Sequence, residues 1–149
     1  MFKIYEKVLV PLDGSELAEC ALPHVTNLAK GGAVGEVILL NVVEIPSVWL
    51  AEGFDFISLK NAQFSKAQKY LADIQSQISS EGVKVKAEVL EGRTAQSIIE
   101  YSKENAVDLI VIATHGYTGM KQLMFGSVAL RVLHDANVPV LLIRPESCR

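Results

Sequence analysis

The chain has 149 residues, of which 50% are hydrophobic and 21% are charged, and its formal net charge is −3. These values fit one globular domain over residues 1–149 whose core needs no metal or disulfide. The slight excess of acidic residues and the lack of a basic run argue against a nucleic-acid partner. No apolar run approaches the roughly 18 residues of a membrane helix, so no membrane partner is expected.

The cysteines and the amino terminus favour a cytoplasmic location. Cys20 and Cys148 lie far apart and belong to no CxxC motif or Cys/His ligand cluster. This pattern indicates reduced thiols and no structural zinc. The first residues are charged and lead directly into an apolar run, without the pattern of a signal peptide.

Five short apolar runs rich in β-branched residues predict strands. Most of them are continuously apolar, which is typical of parallel strands covered by helices on both faces. One run alternates with charged residues, which predicts a strand with one exposed face. The predicted strands are 8–12, 37–43, the alternating 83–90, 109–113 and 138–143.

Four helices are predicted between the strands from apolar residues at helical spacing. The first spans 15–30, with Ser15 as its cap and Pro23 as the site of a kink. The others are one through 67–78 that ends at Gly82, one capped by Thr94 and one opened by Ser127. The order β-α-β-α-β-α-β-α-β predicts an α/β fold, a parallel sheet with helices on both faces.

A long irregular segment is predicted from Glu44 to about Ser58, and it contains several aromatic residues. Loops of this length are usually functional or mobile. Exposed aromatic side chains often mark interfaces, but a loop that folds back onto its own domain would carry them too. Both interpretations have equal weight. The apolar residues in question are Trp49, Leu50, Phe54 and Phe56.

Ligands of open parallel sheets bind at the carboxyl ends of the strands, where the strand order reverses. After the fourth strand the sequence reads THGYTG over 114–119, and Gly126-Ser127 then opens a helix. Glycines let the backbone approach an anion, and a helix start presents free N–H groups, so this segment predicts a phosphate site. An equally weighted alternative is that the glycines form only a tight loop and that Ser127 serves only as a helix cap.

Asp13 follows the first predicted strand and has two interpretations of its own. A carboxylate there can accept hydrogen bonds from ribose hydroxyls. From its position alone, a turn role within Asp13-Gly14-Ser15 is slightly favoured. The sequence has neither GxxxxGK[ST] nor, after the first strand, GxGxxG, which argues against a P-loop and an NAD-type site.

Three segments together resemble the universal stress protein family, and the resemblance covers nearly the whole chain. They are 7–15 (KVLVPLDGS), 108–119 (DLIVIATHGYTG) and 125–128 (FGSV). ATP-binding members carry Gly, two residues, Gly, nine residues, Gly, then Ser or Thr. Here Ala113 replaces the first glycine, and Gly116 and Gly126-Ser127 match. The resemblance implies an adenine nucleotide alpha hydrolase-like fold, a five-stranded parallel sheet of order 3-2-1-4-5.

The resemblance also implies a nucleotide site between the first and fourth strands. Asp13 would hold the ribose, with Pro11 and Leu12 beside it, and the backbone of Val42 would meet adenine. Ile112 and Ala113 would line the base and sugar, and the phosphates would be cradled by Gly116, Gly126, Ser127 and Val128. The ligand would be ATP, ADP or AMP, with Mg²⁺ held mainly by the nucleotide.

Position 117 departs from the family pattern, because Tyr117 stands where many members carry Arg or Lys. Loss of a cation removes a charge-assisted hydrogen bond to phosphate and lowers the expected affinity. Lys121 of the same loop either compensates or is simply solvated.

The function implied is a stress-response regulatory module that binds an adenine nucleotide without substantial catalysis. It would form a homodimer through the last strand, 138–143. One alternative is a slow ATPase or phosphotransferase, in which His115 would act as acid or base. Another is a family member that binds no nucleotide and acts through protein contacts or a small apolar ligand at the aromatic loop.

Overall fold

The computed structural model describes residues 4–47, 55–114 and 126–144. Within these ranges strands and helices alternate as the sequence predicts. The elements are β1 (Tyr5–Pro11), α1 (Glu16–Glu19), α2 (Leu22–Lys30), β2 (Val34–Val43), α3 (Phe56–Ser79), β3 (Val85–Glu91), α4 (Thr94–Glu104), β4 (Leu109–Ala113), α5 (Ser127–Asp135) and β5 (Val140–Ile143).

The strands form one parallel sheet in the order β3-β2-β1-β4-β5. This confirms the α/β fold and the strand order that the family resemblance implied. Successive strands are added toward one side from β1 to β3 and toward the other side from β4 to β5, so the strand order reverses between β1 and β4. Their carboxyl ends therefore flank the crevice where such sheets bind ligands.

The core consists of two apolar layers, one on each face of the sheet. Because side chains alternate along a strand, successive residues of β1 enter opposite layers: Val8 and Val10 pack beneath α2 and α3, and Leu9 packs beneath α4 and α5. All three side chains are fully buried. Continuous apolar strands therefore arise from burial on both sides.

The first predicted helix is wrong in its continuity, since the structure has two helices in place of one. Ser15 caps α1 as predicted, and its hydroxyl accepts a hydrogen bond from the Ala18 N–H at 3.1 Å. The chain then breaks at Cys20 and Ala21. Pro23 is the second residue of α2, where its missing N–H costs no helical hydrogen bond. A proline thus starts a new helix here and does not kink an old one.

Two further boundaries are corrected. The irregular segment after β2 ends earlier than predicted, because α3 begins at Phe56, with Asp55 as its cap. Phe56 is therefore helical, while Trp49, Leu50 and Phe54 lie outside the described residues.

The cap of α4 is Arg93, and Thr94 is the first helical residue. Strand limits differ from the predictions by up to three residues, as is usual at element ends.

The cysteine interpretation also changes. Cys20 is buried and disulfide-bonded, whereas the sequence indicated a reduced thiol. The other cysteine, Cys148, lies outside the described residues. The lack of a CxxC motif therefore did not exclude a disulfide at Cys20.

Candidate functional site

A cleft opens at the carboxyl end of the sheet, above β1, β2 and β4 and beside the starts of α1, α4 and α5. It encloses about 90 Å³, room for several water-sized groups. Seven of the residues predicted to form a site line it: Pro11, Leu12, Asp13, Val42, Ile112, Ala113 and Val128. The structure thus brings together residues from both ends of the chain.

Pro11 explains why the sheet opens at this point. Odd-numbered residues of β1 face β4, as the hydrogen bond from the Asp108 N–H to the Lys7 carbonyl shows at 2.9 Å. Pro11 has the same orientation but no N–H to donate. The β1–β4 pairing involves Val8 and Leu9 on β1, and residues farther along the two strands line the cleft.

Val42 presents an unpaired backbone to the cleft. Along β2 the odd-numbered residues bond to the β3 side, since the Val37 N–H donates to the Lys84 carbonyl at 2.9 Å. Even-numbered residues face β1, and the Leu40 carbonyl accepts from the Leu12 N–H at 2.8 Å. Val42 is the next even-numbered residue, but β1 pairing ends with Pro11 opposite Leu40. The N–H and C=O of Val42 therefore point toward the cleft with no strand opposite.

Asp13 serves the turn and also faces the cleft. Its Oδ1 accepts hydrogen bonds from the Ser15 N–H at 2.9 Å and the Ser15 hydroxyl at 2.6 Å. Gly14 between them has φ +89°, a conformation that favours glycine. The turn interpretation is therefore correct for Oδ1. Oδ2 has no hydrogen bond within the described part of the chain, so one carboxylate oxygen stays available.

The start of α5 carries no side-chain cap. The residue before the helix is Gly126, in an extended conformation with φ −70° and ψ 152°. The interpretation of Ser127 as a cap is wrong: it is the first helical residue and is exposed. The first intrahelical bond runs from the Leu130 N–H to the Gly126 carbonyl, so earlier N–H groups of this turn have no helical partner. Such a helix start favours anions.

The loop that precedes α5 falls outside the described residues. Gly116 is in this loop, together with His115, Tyr117 and Lys121. The proposed roles of these four residues therefore stay predictions.

Five lining residues were missed by the sequence predictions: Ala18, Leu40, Thr94, Ile98 and Ala129. A usable signal existed for two of them. Leu40 is two residues before Val42 on β2 and so faces the same way. Ile98 follows Thr94 by one helical turn on α4, so both lie on one face. Which neighbours enter the cleft depends on packing, which periodicity does not specify.

A second concavity, here called the groove, lies between the end of β2 and α3 and measures about 380 Å³. It shares Asp13 and Val42 with the cleft. Its other lining residues include Asn41, Glu44, Gln63, Lys66 and Tyr70. The Tyr70 hydroxyl donates to Glu19 Oε2 at 2.8 Å, and burial together with this carboxylate raises the pKa of Tyr70.

Within residues 4–47, 55–114 and 126–144, no group of three or more His, Cys, Asp or Glu side chains is arranged to hold a metal ion. None of the helices in these ranges has the length and apolar character needed to cross a bilayer.

Comparison with known proteins points to one family. The model of the universal stress protein family matches residues 4–144. Universal stress protein MJ0531 of Methanocaldococcus jannaschii is 34% identical over 142 residues, which are 95% of this chain and 83% of that protein. The solved structure of MJ0577 from the same organism has a TM-score of 0.83 at 33% identity and covers 95% of this chain and 96% of its own.

A universal stress protein from Archaeoglobus fulgidus has been solved in complex with dAMP. It has a TM-score of 0.68 at 24% identity, covering 94% of this chain and 98% of its own. At that level of identity the likeness concerns the fold.

Proposed function

Because the chain belongs to the universal stress protein family, we propose that it is a regulatory module that binds ATP, ADP or AMP in the cleft. The observation that carries the proposal is the convergence of three features in one place. An apolar slot with a free backbone N–H and C=O, an available carboxylate oxygen and an uncapped helix start adjoin one another.

The apolar slot is suited to a flat purine base. Leu40, Ile98 and Ile112 line it and are at most 5% exposed, so a base placed there is removed from water. Adenine carries an N–H donor at N6 beside an acceptor at N1. The C=O and N–H of Val42 offer the complementary pair at the edge of the slot, which supports the proposed role of Val42.

The sugar and phosphates would occupy the polar end of the cleft. Oδ2 of Asp13 can accept hydrogen bonds from ribose hydroxyls, while Oδ1 holds the turn. Val128 places the first turn of α5 at the cleft wall, where Gly126 and Ser127 can meet phosphate oxygens. We propose that Gly116 joins them and that the phosphates carry most of the coordination of Mg²⁺.

Isothermal titration of nucleotide-stripped protein with ATP and Mg²⁺ tests this proposal. A hydrogen bond to a charged group contributes about 1.5–3 kcal/mol, so Asp13→Asn should weaken binding by about tenfold or more. Asn retains an oxygen for the Ser15 bonds, which separates ligand contact from turn support. Ser127→Ala should weaken binding less, because backbone N–H groups remain.

The matched control is Asp73→Asn, which neutralises an exposed carboxylate on α3. It should leave the affinity unchanged. Absence of saturable binding by the wild-type protein, or equal effects of changes at Asp13 and Asp73, would contradict the proposed site. Release of ADP over many turnovers would instead favour the slow ATPase.

We also propose that the module is a homodimer that pairs through β5. This strand ends the sheet, so its outer backbone edge lacks a strand partner within the described chain. Leu141 of β5 and Leu130 and Leu133 of α5 are 38%, 53% and 44% exposed. Apolar groups beside an open edge favour association with a second copy.

Sedimentation velocity tests the dimer. Leu141→Lys should shift the protein toward the monomer, because a charge would be buried in the interface. Ile57→Lys changes an apolar residue of α3 that is 69% exposed, and it should leave the assembly intact. A wild-type protein that sediments as a monomer at high concentration would exclude this dimer.

A cytoplasmic location remains part of the proposal. Because cytosolic thiols are usually kept reduced, this location requires that the disulfide of the buried Cys20 resists the cytosolic reductants. Cell fractionation combined with thiol trapping would measure both properties at once. Recovery of the protein outside the cytoplasmic fraction would reject the location.

A further inference from the structure

Thr94 is the polar residue of the cleft to which the family resemblance gave no role. Of the side chains that line the cleft, those of Asp13 and Thr94 carry polar groups. Asp13 lies at the turn after β1, whereas Thr94 opens α4 beside the end of β2. Thr94 is therefore the lining residue that brings a hydroxyl to the α4 side of the cleft.

Two hydrogen bonds hold Thr94 beside Val42. The Gly92 N–H donates to the Val43 carbonyl at 3.1 Å. The Thr94 N–H donates to Glu44 Oε1 at 3.0 Å. Val43 and Glu44 directly follow Val42, so the first turn of α4 is fixed against the end of β2. Glu44 replaces the missing cap of α4, because Arg93 forms no side-chain cap bond.

The hydroxyl of Thr94 is available to a ligand. Thr94 makes its hydrogen bond to Glu44 through the backbone N–H, and its Oγ1 has no hydrogen-bond partner among the described residues. The residue is half-buried and faces the cleft. A hydroxyl can both donate and accept, so it can meet a neighbouring donor and acceptor of a base.

The backbone pair of Val42 is not enough to select a base. Adenine offers a donor at N6 and an acceptor at N1, whereas guanine offers an acceptor at O6 and a donor at N1. Either base can satisfy one N–H and one C=O by turning over or shifting in the slot. Discrimination requires a third polar contact at a fixed position.

The edge formed by positions 6 and 7 of the purine supplies this difference. Adenine presents a donor at N6 and an acceptor at N7, and guanine presents acceptors at both O6 and N7. A hydroxyl can accept from N6 and donate to N7 of adenine. Against guanine it can donate once, and its lone pair then faces a second acceptor.

We infer that the Thr94 hydroxyl binds the N6–N7 edge of the base and makes the cleft prefer adenine to guanine. The inference rests on the proposed nucleotide function and deepens it by naming the group that selects the base. Thr94 is the contacting residue, and Glu44 is a positioning residue that acts through the start of α4.

The test is a comparison of ATP, GTP and 7-deaza-ATP by titration against the wild-type protein, Thr94→Val and Thr94→Ser. Valine has nearly the shape of threonine without its hydroxyl, and serine keeps the hydroxyl. For ATP, Thr94→Val should lose about fivefold in affinity, the order expected for one net hydrogen bond. Its affinity for GTP should change little, so the preference for ATP should shrink.

The 7-deaza ligand adds a readout that a merely structural effect would not produce. It lacks the N7 acceptor, so the wild-type protein should bind it more weakly than ATP. Thr94→Val should bind the two ligands equally, because the hydroxyl that distinguishes them is gone. Such non-additivity is expected only for groups in contact. Thr94→Ser should restore the wild-type order of ligands.

The outcomes separate the two proposals. If the wild-type protein binds ATP in a manner that depends on Asp13, but Thr94→Val keeps both the ATP-to-GTP ratio and the 7-deaza effect, base selection by Thr94 is wrong and the nucleotide function stands. If the wild-type protein binds none of the three nucleotides, both proposals fail.

Discussion

The cleft and the groove share Asp13 and Val42, yet their walls differ in polarity. The cleft is lined mainly by apolar side chains, whereas the groove combines a few apolar side chains with amides, a lysine, a tyrosine and carboxylates. The difference follows from how far each helix covers the sheet. On α3 the buried residues begin at Ala67, halfway along the helix, so its first turns leave the groove open to water.

The start of α4 instead lies close against the sheet. Ile98, one turn into this helix, is fully buried, as is Leu40 beneath it. An apolar wall that excludes water suits a base, and a wet wall of long side chains offers little selectivity. The close packing of the first turn of α4 is therefore what distinguishes the cleft, a candidate binding site, from the groove.

The largest expected difference between the two concavities is in stability. Leu40→Ala removes a fully buried side chain from the cleft wall and should lower the free energy of unfolding by about 2–5 kcal/mol. Gln63→Ala removes an exposed side chain from the groove and should stay within about 0.5 kcal/mol of the wild type. Urea denaturation measures both. Similar losses would mean that the groove is packed as tightly as the cleft.

A smaller effect is expected when each concavity is filled. Ala18→Leu would place additional carbon atoms in the cleft and should weaken ATP binding by about tenfold, because the ligand would have to displace them. Gln63→Trp adds bulk to the groove and should not alter binding. A titration in which only the groove variant loses affinity would move the nucleotide site to the groove.

The smallest effect concerns the carboxylate that starts α3, the helix of the groove. Hydrogen bonds from the Ser58 N–H and then the Ser58 hydroxyl hold the pKa of Asp55 below its usual range. A lowered folded-state pKa stabilises the fold above the unfolded value of about 3.9, and this stabilisation is lost as pH falls through the folded value.

The wild-type protein should therefore be slightly more stable than Asp55→Asn at neutral pH. The difference should disappear in acid, as chemical denaturation at a series of pH values would show. A difference that grows toward low pH would contradict the sign of this shift. Glu44→Gln is the corresponding substitution at the start of α4. There the carboxylate that accepts from the first turn belongs to a residue 50 positions before Thr94.

Much of the fold was predictable because it depends on local pattern. The continuous apolar run at 109–113 has the same limits as β4, and all five residues are buried. A strand covered on both faces is the type of secondary structure in which successive residues are all buried. The single helix at 15–30 was wrong because Pro23 fits the start of a helix as well as a kink. The conformational preference of proline does not distinguish a helix start from a kink. The packing of α1 and α2 as two short helices does.

The candidate site was predictable in part. Topology pointed to Asp13, because parallel strands bring their carboxyl ends together. The family resemblance implied the other lining residues that were predicted, namely Pro11, Leu12, Val42, Ile112, Ala113 and Val128. Thr94 was assigned only a capping role. Its place in the cleft depends on the bond between its N–H and Glu44, 50 residues earlier, which no local pattern encodes.

By itself the sequence determined the order of strands and helices, the parallel sheet and the carboxyl edge at which a ligand would bind. These follow from periodicity, β-branched runs and the handedness of crossover connections. Only the tertiary structure decided that β1 stops short of Val42, that the turn uses Oδ1 of Asp13 in a residue that also lines the cleft, and that α4 brings Thr94 into the cleft lining. Each of these depends on register and helix placement, which arise from contacts between residues far apart in the chain.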